Sequence, residues 1–589
     1  MIQDVNRQYD GTVSFAGGQD AGKNPVLLTD DQYQEGENVH CRGGFVATRT
    51  PFRLRTLNFL NNINYDVRGT LNGTNNPITG SQQAFQQGLF QGVIFYDPSF
   101  GVDTLVAMIG GRLFQCVPKE TTVDVTEFSL PTQNRGDIPI AYLVQADRFC
   151  VVQDNEQSPI IFDGGTARRA AVNEVPTGGV MAYGMGRLVV LGKNRRDIFF
   201  GDLWGSHDGE PGLSVLQFTE MNNPLTTQIA TLPFTMGHAN GMAFIPQQDT
   251  TMGQGQLFVF AEKGTASFFL DLPRDQWAIN KFQVMFLIDI GASGHRSITA
   301  VNSDLWFRAK DGWRDVRMAH AEARGWWQLP QSTEVVNFVD VETPSLLEWE
   351  SSINFQNRLW TLCTPIWNYG RPYFNGMLSL DFYVLSSFGA AAHKPSWDGH
   401  HSGIQATQLV MGNFNAEDRA FAFGLDANGF NCIYELDPTA TRDTSGLITS
   451  SVVPKAFTFQ TYFDEWLLEG ADAWFTDIKE QTTVSAFLKP DDYPDWLPWR
   501  TNTLYPPANI APIGVPNQFS NGLPTLREGF SPRWNFYKPD VGADSANTKR
   551  DLKRGFEFST KIQWTGNAAL NRYRIYTQKR IEKKLATPD

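Results

Sequence analysis

A short pattern that recurs along the chain constrains its fold more than any other feature of the sequence. Each copy has a turn residue, a polar or small residue, Leu or Phe, and then an apolar strand. The Leu or Phe of the successive copies is Leu113, Phe149, Leu188, Leu257, Leu305, Leu359 and Phe430. Most steps between copies are close to the ~40–50 residues of one four-stranded propeller blade, and the two longest steps indicate inserted loops. The pattern predicts an all-β protein with a β-propeller of five to seven blades between about residues 85 and 450. A pair of β-sandwiches is the alternative, but it does not predict a repeated unit of this length.

The two ends of the chain differ from the repeats. Glycines at positions 17, 18, 22, 36, 43 and 44 and weak periodicity predict an extended N-terminal arm over residues 1–60, which orders against a partner. A strand that closes the propeller is the alternative for this segment. Beyond residue 454 the strands become longer, and the stretch from 490 to 532 is rich in Pro, Asn and Trp. We expect a C-terminal β-sandwich over residues 454–589, with a long loop and a basic end.

Charge and cysteine content narrow the classes of function. The net charge of -13 argues against general nucleic-acid affinity, which needs clustered Lys and Arg. The basic end is the local exception, and we expect it to dock on a neighbouring copy rather than bind DNA. The predicted docking residues are Lys549, Arg550, Lys553, Arg554, Arg572, Arg574, Lys579 and Arg580. Five separated cysteines fit buried packing residues, and no apolar run approaches the ~18 residues of a membrane span.

The search for catalytic or cofactor-binding motifs leaves weak candidates. Gly17 to Asn24 resembles a phosphate-binding loop, but Asn24 replaces the magnesium-binding hydroxyl and Pro25 follows without helical periodicity. The adjacent His400 and His401 would point to opposite faces of a strand, so a solvated turn is preferred over a metal site. We expect no catalytic residue, no cofactor and no metal.

A cluster of acidic and aromatic residues allows one binding hypothesis. Asp491, Asp492 and Asp495 stand beside Trp496 and Trp499. Aromatic platforms with carboxylates are typical of sugar sites, and a glycosidase would need two carboxylates set across a cleft. Trp496 and Trp499 are therefore the candidate ligand platform, and acidic loop residues are the plainer interpretation.

The N-terminal segment carries a resemblance to a known family. Gly17-Gly18, Pro25-Val26-Leu27-Leu28, Asn38-Val39 and Gly43-Gly44-Phe45 are followed by Arg49-Thr50-Pro51-Phe52. In that order they resemble the opening of tail nozzle proteins and related virion proteins of short-tailed bacteriophages. Thr50 interrupts the family's Arg-Pro, and the family's Gly before Phe is missing. Patches around Leu188, Leu305 and Leu359 are similar to blade segments of the same proteins.

The resemblance implies a structural role in the virion tail. It implies a β-propeller body and a ring, expected to be hexameric, beneath the head–tail adaptor, with contacts to fibres or spikes and a channel that DNA crosses without specific binding. The implied assembly residues are Gly17, Gly18, Pro25, Asn38, Gly43, Gly44, Phe45, Arg49, Pro51 and Phe52. Assembly in the bacterial cytoplasm fits reduced cysteines. A receptor- or glycan-binding propeller and a propeller glycosidase are the alternatives.

Overall fold

The fold is known from a computed structural model. It describes residues 7–63, 80–98, 101–130, 134–203, 215–219, 229–247, 253–270, 274–277, 282–322, 329–368, 371–383, 395–459, 461, 464–491, 493–506, 519–520, 523–524, 533–537 and 554–579. Strands dominate these residues, as the repeated pattern predicts. The α-helices among them are α1 (Ser81–Gln87), α2 (Val316–Glu322) and α3 (Val336–Val339). No described helix has the length and apolar character needed to cross a membrane.

The N-terminal segment is built from short strands. They are β1 (Arg7–Thr12), β2 (Gly18–Gln19), β3 (Gln32–Glu37), β4 (Val39–His40), β5 (Val46–Thr48), β6 (Phe52–Leu54) and β7 (Thr56–Phe59). Each of them pairs with a strand of the same chain, either within the segment or far away in sequence. In this chain the predicted arm therefore lies in the sheets of its own fold.

Four consecutive antiparallel sheets follow. The first holds β8 (Phe90–Tyr96), β9 (Thr104–Ile109), β10 (Arg112–Pro118) and β11 (Thr122–Phe128), with β7 parallel to β11 at its outer edge. The second holds β12 (Tyr142–Ala146), β13 (Phe149–Gln153), β14 (Ile160–Phe162) and β15 (Ala167–Arg169). The third holds β16 (Gly178–Gly184), β17 (Arg187–Gly192), β18 (Asp197–Phe200) and β19 (Ile229–Thr231). The fourth holds β20 (Ala239–Pro246), β21 (Gln254–Ala261), β22 (Gly264–Phe268) and β23 (Gln283–Ile288).

Three further sheets complete the propeller. The fifth holds β24 (Thr299–Val301), β25 (Asp304–Ala309) and β26 (Gly312–Asp315). The sixth holds β27 (Ser352–Phe355), β28 (Arg358–Asn368), β29 (Arg371–Asp381) and the first half of β30 (Ser396–Phe414). The second half of β30 opens the seventh, with β31 (Glu417–Leu425), β32 (Asn431–Leu436) and finally β6. The N-terminal β6 thus supplies the last strand of the last blade.

The seven sheets form a closed ring. Neighbouring sheets contact one another through their first strands, except that β20 of the fourth sheet contacts β25 of the fifth, and β30 of the seventh sheet contacts β8 of the first. A separate apolar cluster fills each gap between neighbouring sheets, and the cluster around Phe114 and Phe421 joins the seventh sheet to the first. Radial sheets with apolar contacts between their faces define a β-propeller. The described residues form seven blades, at the upper end of the predicted range.

The C-terminal part is a β-sandwich, as expected. One sheet contains β33 (Thr449–Pro454), β41 (Phe558–Thr565), β35 (Thr482–Pro490) and β36 (Leu497–Leu504), together with β3. The other contains β34 (Trp466–Thr476), β42 (Ala569–Lys579), β39 (Arg533–Tyr537) and β40 (Arg554–Gly555), together with β1, β4 and β5. The remaining strands β37 (Phe519–Ser520) and β38 (Leu523–Pro524) form a small hairpin. The core between the two sheets includes Phe15, Tyr33 and Val46, so the sandwich depends on the N-terminal segment as well as on residues 454–589.

Candidate functional site

Several N-terminal residues that carry the family resemblance, among them Gly18, Asn38 and Arg49, lie where the propeller joins the sandwich. Gly18 has a φ of 72°, and a Cβ there would lie 2.6 Å from the Trp397 carbonyl oxygen of β30. Asn38 also has a positive φ, and its Nδ2 donates to the Ser402 hydroxyl at 3.2 Å and to the Thr449 carbonyl at 2.9 Å. Ser402 belongs to β30 and Thr449 to β33. Asn38 therefore connects the last blades to the sandwich.

Arg49 adds a buried ion pair to this junction. Its Nη1 and Nη2 donate to the two carboxylate oxygens of Asp443 at 2.9 and 2.7 Å. Oδ1 of Asp443 also accepts the Phe52 N–H at 2.7 Å, and the guanidinium lies 3.8 Å from the centre of the Phe52 ring. Arg49 is only 2% exposed, so the pair is held away from water. The geometry of this ion pair fixes the position at which β6 enters the last blade.

The other predicted assembly residues differ in exposure. Gly43 and Gly44 adopt positive φ values in a turn, and the Gly44 carbonyl accepts the Phe15 N–H at 2.9 Å. Pro25 opens a short 3-10 helix and does not begin an α-helix, which removes the phosphate-loop interpretation of residues 17–24. Pro51 accepts the Asp437 N–H at 3.0 Å. Phe45 is 39% exposed and is the member of the set best placed to meet a partner.

A buried polar cluster lies beside this junction. One carboxylate oxygen of Asp398 accepts hydrogen bonds from Ser379 Oγ at 2.7 Å and from His40 Nδ1 at 3.1 Å, and Arg358 Nε forms an ion pair with the same oxygen at 3.1 Å. Its other oxygen accepts the Cys41 N–H at 2.8 Å. Burial opposes ionisation of Asp398, but Arg358 and His40 outweigh it and hold its pKa well below the usual value. The carboxylate joins the N-terminal segment to β28 and β30.

The same cluster has to be considered as a metal site. His40, Asp398 and His401 can bring one ligand atom each within 4.8 Å of one another. The Arg358 cation, however, contacts the carboxylate oxygen that a metal would use, and His40 Nε2 already accepts the Thr50 N–H at 3.1 Å. The ligand atoms of Asp398 and His40 are thus already engaged within the protein, and the cluster fits a structural network better than a metal centre.

The adjacent histidines do not lie in the expected solvated turn. His400 and His401 belong to β30 and point to opposite faces, as strand geometry requires. His401 packs in the buried cluster, while the ring of His400 stacks on Phe338 with centroids 4.8 Å apart. The preference for a turn was wrong because Gly399 and Gly403 lie within a bulged strand.

The candidate ligand platform is divided between a groove and the core. Trp496 lines a groove of about 780 Å³ on the sandwich, together with Lys489, Asp491, Phe556 and Glu557. The Lys489 ammonium lies 5.7 Å from the centre of the Trp496 ring, and Phe556 is 49% exposed. Two aromatic faces among charged side chains can bind a sugar or another polar ring.

Trp499 has a different position. It is 5% exposed and belongs to the core between the two sheets of the sandwich. Asp495 is exposed next to Trp496, and Asp492 lies outside the described residues. Of the tryptophan pair, only Trp496 lines a surface that a ligand could reach.

The basic end is only partly described. Arg574 Nε donates to Asp472 at 2.9 Å, and the guanidinium also lies 5.2 Å from the centre of the Tyr9 ring. Arg572 on the same strand is exposed, and Arg554 is half-buried in β40. Lys549, Arg550, Lys553 and Arg580 lie outside the described residues, as does the side chain of Lys579. Arg572 is therefore the described docking candidate whose side chain faces solvent.

Sequence inspection missed a buried pair of carboxylates between the fifth and sixth blades. Glu342 and Glu350 both contact Arg308, at 2.9 and 3.1 Å. Burial and the nearby charge of Glu342 raise the pKa of Glu350 to about 8. These side chains are at most 3% exposed, so a substrate could not reach them without local opening. The residues are too far apart in sequence to form a recognisable motif.

Comparisons with known proteins show similarity only at the level of solved structures. No protein-family model and no curated protein matches the sequence. BamB from Moraxella catarrhalis is 11% identical, with 64% of this chain and 98% of that chain covered and a TM-score of 0.31. BBS1N in complex with ARL6DN is 11% identical, with 60% and 98% covered and a TM-score of 0.34. YCF48 from Cyanidioschyzon merolae is 8% identical, with 60% and 96% covered and a TM-score of 0.30. These TM-scores are too low to support a conclusion about this chain. Its assignment as a propeller rests on the arrangement of its own sheets.

Proposed function

We propose that this chain is a non-enzymatic structural subunit of a short-tailed bacteriophage tail, a nozzle protein that assembles into a ring. The observation that carries the proposal is the N-terminal segment. The residues that resemble the nozzle family join a propeller to a sandwich through Asn38 and the buried Arg49–Asp443 pair. A rigid two-part subunit of this kind suits a ring that has to withstand the passage of DNA.

The passage in such a ring would lie between subunits. The axis of the propeller is occupied by side chains, among them the fully buried Arg371, which bonds to the Phe90 carbonyl. A DNA duplex therefore could not cross a single propeller of this kind. The net charge of -13 would reduce adhesion of the passing DNA.

Electron microscopy tests this proposal. Negative-stain images of the purified chain, alone and with the head–tail adaptor of the same phage, should show closed rings with a central opening. Separate monomers under both conditions would contradict the proposal. The head–tail adaptor and the fibre or spike proteins are the partners that the proposal implies.

The groove around Trp496 supports a second candidate, a glycan-binding tail protein. Trp496→Ala should abolish binding on a glycan array, because the aromatic face would be lost. Tyr505→Ala is the matched control, since Tyr505 is 66% exposed and does not line the groove. Trp499→Ala should instead destabilise the sandwich, in which Trp499 is buried. Equal glycan binding by Trp496→Ala and the unmodified protein would exclude this candidate.

A further inference from the structure

One buried arginine holds both ends of a short segment that connects the fifth and sixth blades. The segment, which we call the strap, comprises residues 342–350 between α3 and β27, and most of it is a 3-10 helix (Pro344–Trp349). Glu342 at its start and Glu350 at its end contact the guanidinium of Arg308, at 2.9 and 3.1 Å. Arg308 belongs to β25, so this side chain ties both ends of the strap to the fifth blade.

The two ends of the strap have different surroundings. Glu350 is 1% exposed, and its Oε1 accepts the Thr361 hydroxyl of β28 at 2.8 Å. Glu342 accepts the Thr364 N–H at 3.0 Å, but the preceding residue, Val341, is 73% exposed. The carboxylate of Glu342 is therefore the one that can reach water with the smaller rearrangement.

The charges in this closed site do not balance. Two carboxylates share one guanidinium, and no other cation of the described residues forms an ion pair with either of them. An excess charge in a buried site is strongly unfavourable, so one proton is needed to neutralise the pair. In agreement, burial and the charge of Glu342 raise the pKa of Glu350 from 4.5 to about 8, and burial raises that of Glu342.

The titratable groups that surround the pair keep their own charge states between pH 5 and 8. On β28, burial and the two glutamates hold the pKa of Cys363 well above its usual value. The short 3-10 helix His295–Ser297 packs against the strap, and burial lowers the pKa of His295 to about 4 and that of Arg296 to about 9. Asp304, at the start of β25, is the exception, because burial raises its pKa to about 7.

We propose that the strap is a proton-controlled device, which lies closed on Arg308 while the Glu342–Glu350 pair holds one proton and opens at the Glu342 end when that proton leaves. A carboxyl that reaches water ionises normally, so opening releases a proton and is favoured as pH rises from about 4.5 to about 8. Outside this range the two states hold equal numbers of protons, and the dependence disappears. Glu348 and Trp349 line a cavity of about 450 Å³, so opening would also change the wall of that cavity. The proposal does not depend on ring assembly.

Hydrogen exchange of the full chain, followed by mass spectrometry, measures opening of the strap. The reporters are the N–H groups of Leu346 and Glu350, which donate to the carbonyls of Thr343 and Leu347 within the strap. Each exchange rate is divided by the rate of an unfolded peptide at the same pH, which gives the protection of the strap. We expect protection to fall by more than about tenfold between pH 5.5 and 7.5, because opening releases one proton. Protection that is independent of pH would overturn the proposal.

Three variants assign the effect to the carboxylate pair. Glu342→Gln and Glu350→Gln each place a neutral amide where the proton is held, so both should keep the strap protected at pH 7.5 and lose most of the pH dependence. Asp304→Asn is the matched control, since it removes another carboxyl of raised pKa from β25 and should leave the dependence intact.

Two results with these variants would contradict the proposal. One is an undiminished pH dependence in both glutamine variants, or its loss in Asp304→Asn. The other is failure of both glutamine variants to fold, because an amide should be tolerated in place of a protonated carboxyl.

Discussion

Arg49 and Asp443 form a bidentate ion pair that is buried between the last blade and the N-terminal segment. Arg49→Ala should lower the free energy of unfolding by about 3–5 kcal/mol, because Asp443 would remain buried without its counter-charge. Urea denaturation measures the change. Arg135→Ala is the control, since the Arg135–Asp137 pair is exposed and should contribute little to the free energy of unfolding. Equal losses in the two variants would mean that the Arg49 pair is not buried in solution.

His40 should make stability depend on pH. Burial lowers its pKa from 6.5 to about 4, with Arg358 adding to the effect, and Nε2 cannot take a proton without losing the Thr50 N–H. Between these values the unfolded chain binds a proton that the folded chain does not, so the free energy of unfolding falls as pH falls from about 6.5 to about 4. The loss from His40 is at most about 1.4 kcal/mol per pH unit. Urea titrations at pH 7, 5.5 and 4.5 should show a weaker dependence in His40→Gln, and an unchanged dependence would contradict this assignment.

Strand β6 shows how one element closes the ring. Phe52 at its start is 1% exposed and packs in the cluster between the sixth and seventh blades, whereas Leu54 on the same strand is 37% exposed. Phe52→Ala should therefore cost about 3–5 kcal/mol, and Leu54→Ala should cost less than about 1 kcal/mol. Denaturant unfolding of the two variants provides the comparison. A Phe52→Ala protein as stable as Leu54→Ala would mean that β6 is a detachable arm and does not close the propeller.

The tight turns between strands explain which blades the repeated sequence pattern reveals and which it does not. In the first, third, fifth and sixth blades the repeated pattern begins at a tight turn with two successive residues of positive φ, for example Gly110-Gly111 and Asn302-Ser303. Such turns need Gly, Asn or similar residues, so they can be read from sequence. In the seventh blade the corresponding tight turn is Asn415-Ala416. The strand that follows, β31, begins with polar residues, so this turn does not match the repeated sequence pattern. Phe430 marks a later turn of that blade.

The candidate sites are less predictable because they form across the ring or across two sheets. Arg49 and Asp443 are 394 residues apart and meet only when β6 joins the last blade, and nothing in their local sequence distinguishes them. Trp496 and Trp499 look equivalent in sequence, but strand β36 directs Trp499 into the core while Trp496 precedes the strand. In both cases the position of the residues depends on contacts between distant parts of the chain, which sequence periodicity does not reveal.

At the scale of the whole molecule, the basic end should govern assembly. Arg572 is exposed on β42, while Arg574 is held by Asp472. Arg572→Glu should weaken ring formation, because it places a negative charge where an acidic neighbouring copy is expected. Sedimentation velocity measures the fraction of rings, with the exposed Arg135→Glu on the propeller as the charge-matched control. An unchanged fraction in Arg572→Glu, or an equal loss in Arg135→Glu, would contradict a docking role for this residue.

Cryo-electron microscopy of the tail of a phage that encodes this chain tests the central claim most directly. The account predicts several copies arranged around the tail axis, each with seven blades and an attached sandwich, and with the DNA passage between the copies. Virions that lack the chain, or that hold it only at the tips of fibres, would contradict the account.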